Sequence, residues 1–180
     1  LQKNLMKKAK RDGLARIKAK IAADAAAQDA VHEFRAELRG VFEKLARTDG
    51  SGKRPVLTLQ AFCQELFDRK VAVEATVQPV SNVRGVTLPA VHTSLSMLDA
   101  KGAFAAAQRA HDSGDDSAKA VIDLAEFQAA LALCGHVKYE EVEQMSLAQR
   151  VAGIVANFLG LKDEQQVINE ALVPKVERFD

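Results

Sequence analysis

Two cysteines, four prolines, one tyrosine and no tryptophan in 180 residues exclude several kinds of protein before any pattern is read. Cys63 and Cys134 each sit alone in an apolar helical pattern, which fits reduced core residues and not a disulfide framework or a metal site. No apolar run approaches the roughly 18 to 20 residues that span a bilayer, so no membrane span is expected. The N-terminus is basic but lacks the continuous apolar stretch and small-residue cleavage site of a secretory signal, and the expected location is intracellular. A first residue of Leu in place of Met fits a piece of a longer polypeptide.

Catalytic signatures are missing as well. The chain has no Gly-rich phosphate loop, no GxSxG elbow and no Cys/His spacing suited to zinc. His32, His92, His111 and His136 are scattered singly along helices or their ends. A nucleophile pair would require Cys63 or Cys134 to meet His92 or His136 in three dimensions, and buried thiols are inert. No enzyme is expected.

What is present is a helix-rich, core-forming composition, 48% hydrophobic and 27% charged. A net charge of +1 conceals a strong asymmetry. Residues 1–20 hold eight Lys and Arg against Asp12 alone, leaving 17 basic and 23 acidic residues elsewhere out of totals of 25 and 24. Leu14, Ile17 and Ile21 recur at helical spacing among these cations, which predicts a basic amphipathic helix over residues 1–30, with an interruption near Gly13. Lys7, Lys8, Lys10, Arg11, Arg16, Lys18 and Lys20 are its candidate partner-binding residues. An acidic protein surface is the expected partner. Nucleic acid is disfavoured, since the helix has no interleaved aromatics and the remainder is acidic.

Val31, Phe34, Leu38, Val41 and Leu45 alternate in steps of three and four, predicting one helix from the alanine-rich stretch through "VHEFRAELRGVFEKLAR". "TDGSGKRP" ends it, and Thr58 caps a following helix bearing Phe62, Leu66 and Phe67. The arrangement recurs: "AFAAAQRAHDSGDD", a short extended "AVI", then Asp123 with Glu126 three residues later as a capping box for "LAEFQAALALCGH". "LTLQAF" and "IDLAEF" are thus an internal repeat. "VTLPAV" at 86–91 matches weakly and is expected to start a helix, after an extended or irregular insert near 71–86 with Val-rich alternation. Beyond residue 135, a Ser146/Gln149 capping box opens "MSLAQRVAGIVANFLG", which stops at Gly160, and "DEQQVINEAL" forms a last helix before Pro174. These C-terminal helices, over 136–180, are expected to pack on the repeat.

The segments "FEKLARTDGSGK…LTLQAF" and "AHDSGDD…VIDLAEFQAAL" resemble a pair of EF-hands over residues 31–135. The resemblance implies an all-α domain whose two loops meet through a short antiparallel contact. Its calcium chemistry carries over poorly. Calcium takes six to eight oxygens from loop positions 1, 3, 5, 7, 9 and a bidentate Glu at 12, with Gly at 6. Counted back from Glu126, the candidate ligands are Asp115, Ser117, Asp123 and Glu126, but Lys119 and Ala120 fall where an oxygen and a glycine belong. Counting instead from Asp112 makes the loop too long. In the first loop the final ligand position is Ala61, with Lys53 and Arg54 inside. No cofactor is expected, and a weak calcium site at 115–126, making a calcium-regulated sensor, is the alternative. The alanine-rich, degenerate character also resembles accessory proteins of ciliary and flagellar axonemes, from the central apparatus or doublet microtubules. That resemblance implies a cytoskeletal scaffold with axonemal proteins or tubulin as neighbours.

Overall fold

The structure, a computed structural model, describes residues 1–48, 54–81, 83–109 and 121–173. Among these the fold is carried by helices, with strands confined to short pairings. No helix is long and apolar enough to cross a membrane.

Two helix pairs, each with a short strand before its second helix, form the centre. The first runs through α3 (Arg35–Leu45), β1 (Arg47–Thr48), β2 (Pro55–Thr58) and α4 (Leu59–Asp68). The second runs through α5 (Met97–Ala107), β5 (Val121–Ile122) and α6 (Leu124–Lys138). β2 and β5 pair antiparallel, with Leu57 opposite Ile122 and Thr58 opposite Val121, so the segments preceding both exit helices meet. Both helices start where the side-chain chemistry demands. Thr58 Oγ1 accepts the Ala61 N–H at 3.1 Å, and Asp123 and Glu126 exchange reciprocal bonds of 2.9 and 3.0 Å. One feature was not anticipated: β1 pairs with the free edge of β2, placing Arg47 opposite Val56.

Five phenylalanines, each from a different helix, make the core. Phe127 on α6 lies 5.8 Å from Phe42, 6.2 Å from Phe62 and 5.8 Å from Phe158, and Phe62 lies 5.7 Å from Phe104. All five are at most 2% exposed, each burial contributing about 1.5–3 kcal/mol. Phe158 belongs to α7 (Leu147–Phe158), which lies against α6. α7 starts at the Ser146/Gln149 capping box and ends with Gly160 at φ +74°, where the Leu161 N–H reaches the Ala156 carbonyl at 2.9 Å. α8 (Glu164–Leu172) follows, against α7 and the strand β3 (Glu74–Val77).

Three local expectations need correction. α1 (Gln2–Ala23) passes through Gly13 unbroken, because Lys, Ala, Arg and Leu around it are strong helix formers and one interior glycine costs only about 1 kcal/mol. The single helix expected beyond it is divided. Asp24 caps α2 (Ala25–Glu33) by accepting the Ala27 N–H at 3.0 Å, and Phe34 turns the chain into α3 with a tightened bond to the Val31 carbonyl. The turn lets α2 face α7 while α3 faces α6. Finally, residues 86–91 start no helix. Val91–Ser94 is a strand, β4, paired antiparallel with β3 (Glu74–Val77). Val91 and Thr93 are buried while His92 and Ser94 are less so, the period-2 alternation that β-branched residues favour. The next helix waits for the Ser96/Asp99 capping box.

Candidate functional site

α1 buries side chains against the body in its second half only. Leu14 and Ile21 are buried against α5 and α6, whereas every residue from 1 to 12 is exposed. Lys10 and Lys18 reinforce the attachment. Lys10 Nζ pairs with Asp99 at 3.2 Å, beside the N-terminal cap of α5. Burial pushes the Asp99 carboxyl up, but the bonds from Ser96 and then the Lys10 ion pair together hold it below the ordinary range. Lys18 Nζ donates to the Ala106 and Ala107 carbonyls at 3.2 and 3.3 Å, at the negative end of α5. The remaining candidates, Lys7, Lys8, Arg11, Arg16 and Lys20, are exposed and make no ion pair or hydrogen bond among the described residues. Sequence reasoning therefore grouped residues of two kinds: two that hold the helix to the body and five that do not.

Beside α1 lies a cleft of about 630 Å³, floored by Leu14, Ile17 and Val137 and edged by Arg16, Lys20 and His136. Glu140 and Glu141 line it as well. His136 is held below the ordinary imidazole range, first by burial and then by Arg150 and Lys20 nearby, against the pull of Glu140.

The acidic candidates are placed differently. Asp115 and Ser117 lie outside the described residues. Asp123 and Glu126 are brought together, and their oxygens serve the fold. Glu126 is 2% exposed, with Oε1 accepting the Asp123 N–H and Oε2 accepting the Arg109 N–H at 2.7 Å. Asp123 Oδ1 accepts the Glu126 N–H, and its Oδ2 pairs with the Arg109 guanidinium. A cation is thus already present at this carboxylate pair, supplied by the end of the entering helix. No group of three or more His, Cys, Asp or Glu side chains is arranged to hold a metal among the described residues.

Two further polar constellations escaped the sequence. Lys138, 1% exposed at the end of α6, donates to the Val71 carbonyl at 2.8 Å, to Asn157 Oδ1 at 3.0 Å and to Glu164. Burial lowers its pKa and Glu164 opposes that shift. A lysine closing the largely apolar "FQAALALCGHVK" was the available signal, because a helix buried over most of its circumference must satisfy that charge internally. His92, on β4, contacts Glu74 at 2.8 Å through Nε2 and Glu141 through Nδ1. These carboxylates raise its pKa, Glu141 more than Glu74. Their separation in sequence gave no hint of the cluster.

Both cysteines are buried free thiols whose pKa values burial raises. His92 contacts Glu74 and Glu141 through its two ring nitrogens, and His136 Nδ1 lies 3.4 Å from Arg150.

Comparisons with protein-family models, with curated proteins and with solved structures find no match to this chain.

Proposed function

We propose that the chain is a non-catalytic protein-interaction module built on a degenerate EF-hand pair, acting as a scaffold part of a larger ciliary or cytoskeletal assembly. The observation that carries this reading is Phe158. Paired helix–loop–helix units that act as sensors expose an apolar groove when the ion binds. Here α7 lays Phe158 on Phe127 at the centre of the core, so that surface is filled by the chain itself. The antiparallel Leu57–Ile122 contact supports the EF-hand kinship, and the engagement of Glu126 by two backbone N–H groups supports independence from calcium. Tubulin and axonemal proteins are the proposed neighbours, on the strength of the alanine-rich character alone.

Calorimetric titration of the chain with calcium, with Glu126→Gln alongside, tests the independence. The expected result is no binding heat in either. Heat in the parent chain that the variant loses would restore the sensor reading. Chemical cross-linking in isolated axonemes tests the setting, and products free of tubulin and axonemal proteins would remove it.

A further inference from the structure

We infer that the first three turns of α1 are a docking face for a carboxylate-rich segment of a partner protein. This inference rests on the scaffold reading above and names the chemistry of one of its contacts.

Lys3, Lys7, Lys8 and Arg11 stand at relative positions i, i+4, i+5 and i+8, so a 3.6-residue period gathers them on one side of the helix. At a rise of about 1.5 Å per residue they cover about 12 Å of its length. All four are exposed, and none has a hydrogen bond or ion pair among the described residues. Their only acidic neighbour in the sequence of this segment is Asp12. Asp99 on the body is taken by Lys10.

The arrangement is unfavourable when left alone. Lys3 with Lys7 and Lys7 with Arg11 are like charges four residues apart, each such pair costing a helix a few tenths of a kcal/mol. No buried side chain compensates over residues 1–12. A row of carboxylates converts each repulsion into attraction and stabilises the helix on binding.

Charge selects a protein acid over the other polyanions. The chain beyond residue 20 has 17 basic residues against 23 acidic, which opposes the long, dense charge of a nucleic acid, and α1 has no aromatic side chain for a base to stack on. An interfacial membrane helix needs a broad apolar face opposite its cations. Between residues 2 and 12 only Leu5 and Met6 are large and apolar. A short acidic segment meets the four cations without engaging the acidic body.

The test uses the 180-residue chain and a fluorescein-labelled dodecaglutamate, followed by anisotropy at two salt concentrations. Binding that weakens with salt is expected, with a rise in far-UV helicity. Reversal of three charges in K7E/K8E/R11E is expected to lower affinity roughly tenfold or more. R35E/R39E/K44E on exposed positions of α3 changes net charge equally and is expected to bind nearly as the parent does. Unchanged urea midpoints are expected for both, since all six side chains are exposed. Absence of binding overturns the inference, as does equal loss in the two triple variants. Tighter binding of a twelve-nucleotide single strand or of phosphatidylserine vesicles also overturns it, in favour of a phosphate ligand. If K7E/K8E/R11E keeps every cross-linked neighbour of the parent chain, this docking face falls while the scaffold reading stands; if the parent chain has no neighbours but binds dodecaglutamate, the reverse holds.

Discussion

α7 and α1 both lie against α6, and they are held there in different ways. α7 contributes Val151, Ile154, Val155 and Phe158 to the core, is capped at its N-terminus, and approaches α6 so closely at Gly135 that a Cβ there would sit 2.6 Å from the Arg150 carbonyl oxygen. α1 is nearly twice as long, 22 residues against 12, yet buries only Leu14 and Ile21 and is otherwise tied by Lys10 and Lys18. The first contact is backbone against backbone and cannot slide. The second consists of two buried apolar anchors, the half-buried Ile17 and two lysines, and it leaves the side chains of the first three turns exposed. Length therefore says little about which helix belongs to the fold; the density of close approach does.

Phe158→Ala should have the largest effect. It removes a 1% exposed ring from contact with Phe127 and leaves a cavity in the core, for an expected loss of about 3–5 kcal/mol in urea denaturation. A loss under about 1 kcal/mol would mean that α7 packs loosely and that the groove is not truly filled. Gly135→Ala follows at about 3 kcal/mol, because the obstructing atom belongs to the backbone of α7 and the helices must separate to admit a methyl. Its counterpart on the α1 side is Gly102→Ala. The nearest atom to that Cβ is Leu14 Cδ1 at 3.7 Å, an ordinary contact, so the higher helix propensity of alanine should stabilise by about 0.5–1 kcal/mol. Opposite signs for the same chemical change on the two faces of this assembly would establish the contrast, and equal signs would remove it.

Ile21→Ala separates the two helices in another way. It deletes the deeper of the two anchors of α1, 5% exposed, at an expected cost of about 2 kcal/mol. That loss should be local. Hydrogen exchange should quicken along α1 while the amides of α6 and α7 keep the protection of the global transition. Faster exchange throughout would show that α1 is as integral as α7.

The elements legible in the sequence were those with a local cause. Thr58, the Asp123/Glu126 pair, the Ser146/Gln149 pair and Gly160 each act within four residues, and the helix ends they mark are where they were expected. The repeat was legible because "LTLQAF" and "IDLAEF" carry their pairing residue just before the cap. What failed depended on distant partners. "VTLPAV" offers a plausible helix start, and only pairing with Glu74–Val77 makes its continuation a strand. The basic residues of α1 looked equivalent because nothing near Lys10 or Lys18 in sequence reveals Asp99 or the end of α5. Lys138 and His92 likewise depend on partners from other elements.

His92 supplies the smallest effect and extends the comparison to pH. Its ring joins β4 to Glu74 on β3 and to Glu141 in the turn leading toward α7, so it clasps a hairpin to the α7 side of the molecule. The folded-state pKa is raised by the two carboxylates above the ordinary imidazole value near 6.5. The folded state then binds more protons than the unfolded state between these two pKa values, and stability must fall as pH rises. The stabilisation is fully present below about 6.5, while the carboxylates stay ionised, and is lost as pH climbs through the raised value. Because the groups are solvent-exposed, the change should be small and should shrink with salt. Urea midpoints measured from pH 6 to 9 should decline in the parent chain and stay flatter in His92→Gln. Exchange along α1 should not follow the same curve, since none of its cations faces His92. A parallel decline in both places would mean that the two flanking helices are coupled through α6, and that the free half of α1 responds to the body it was thought only to lean on.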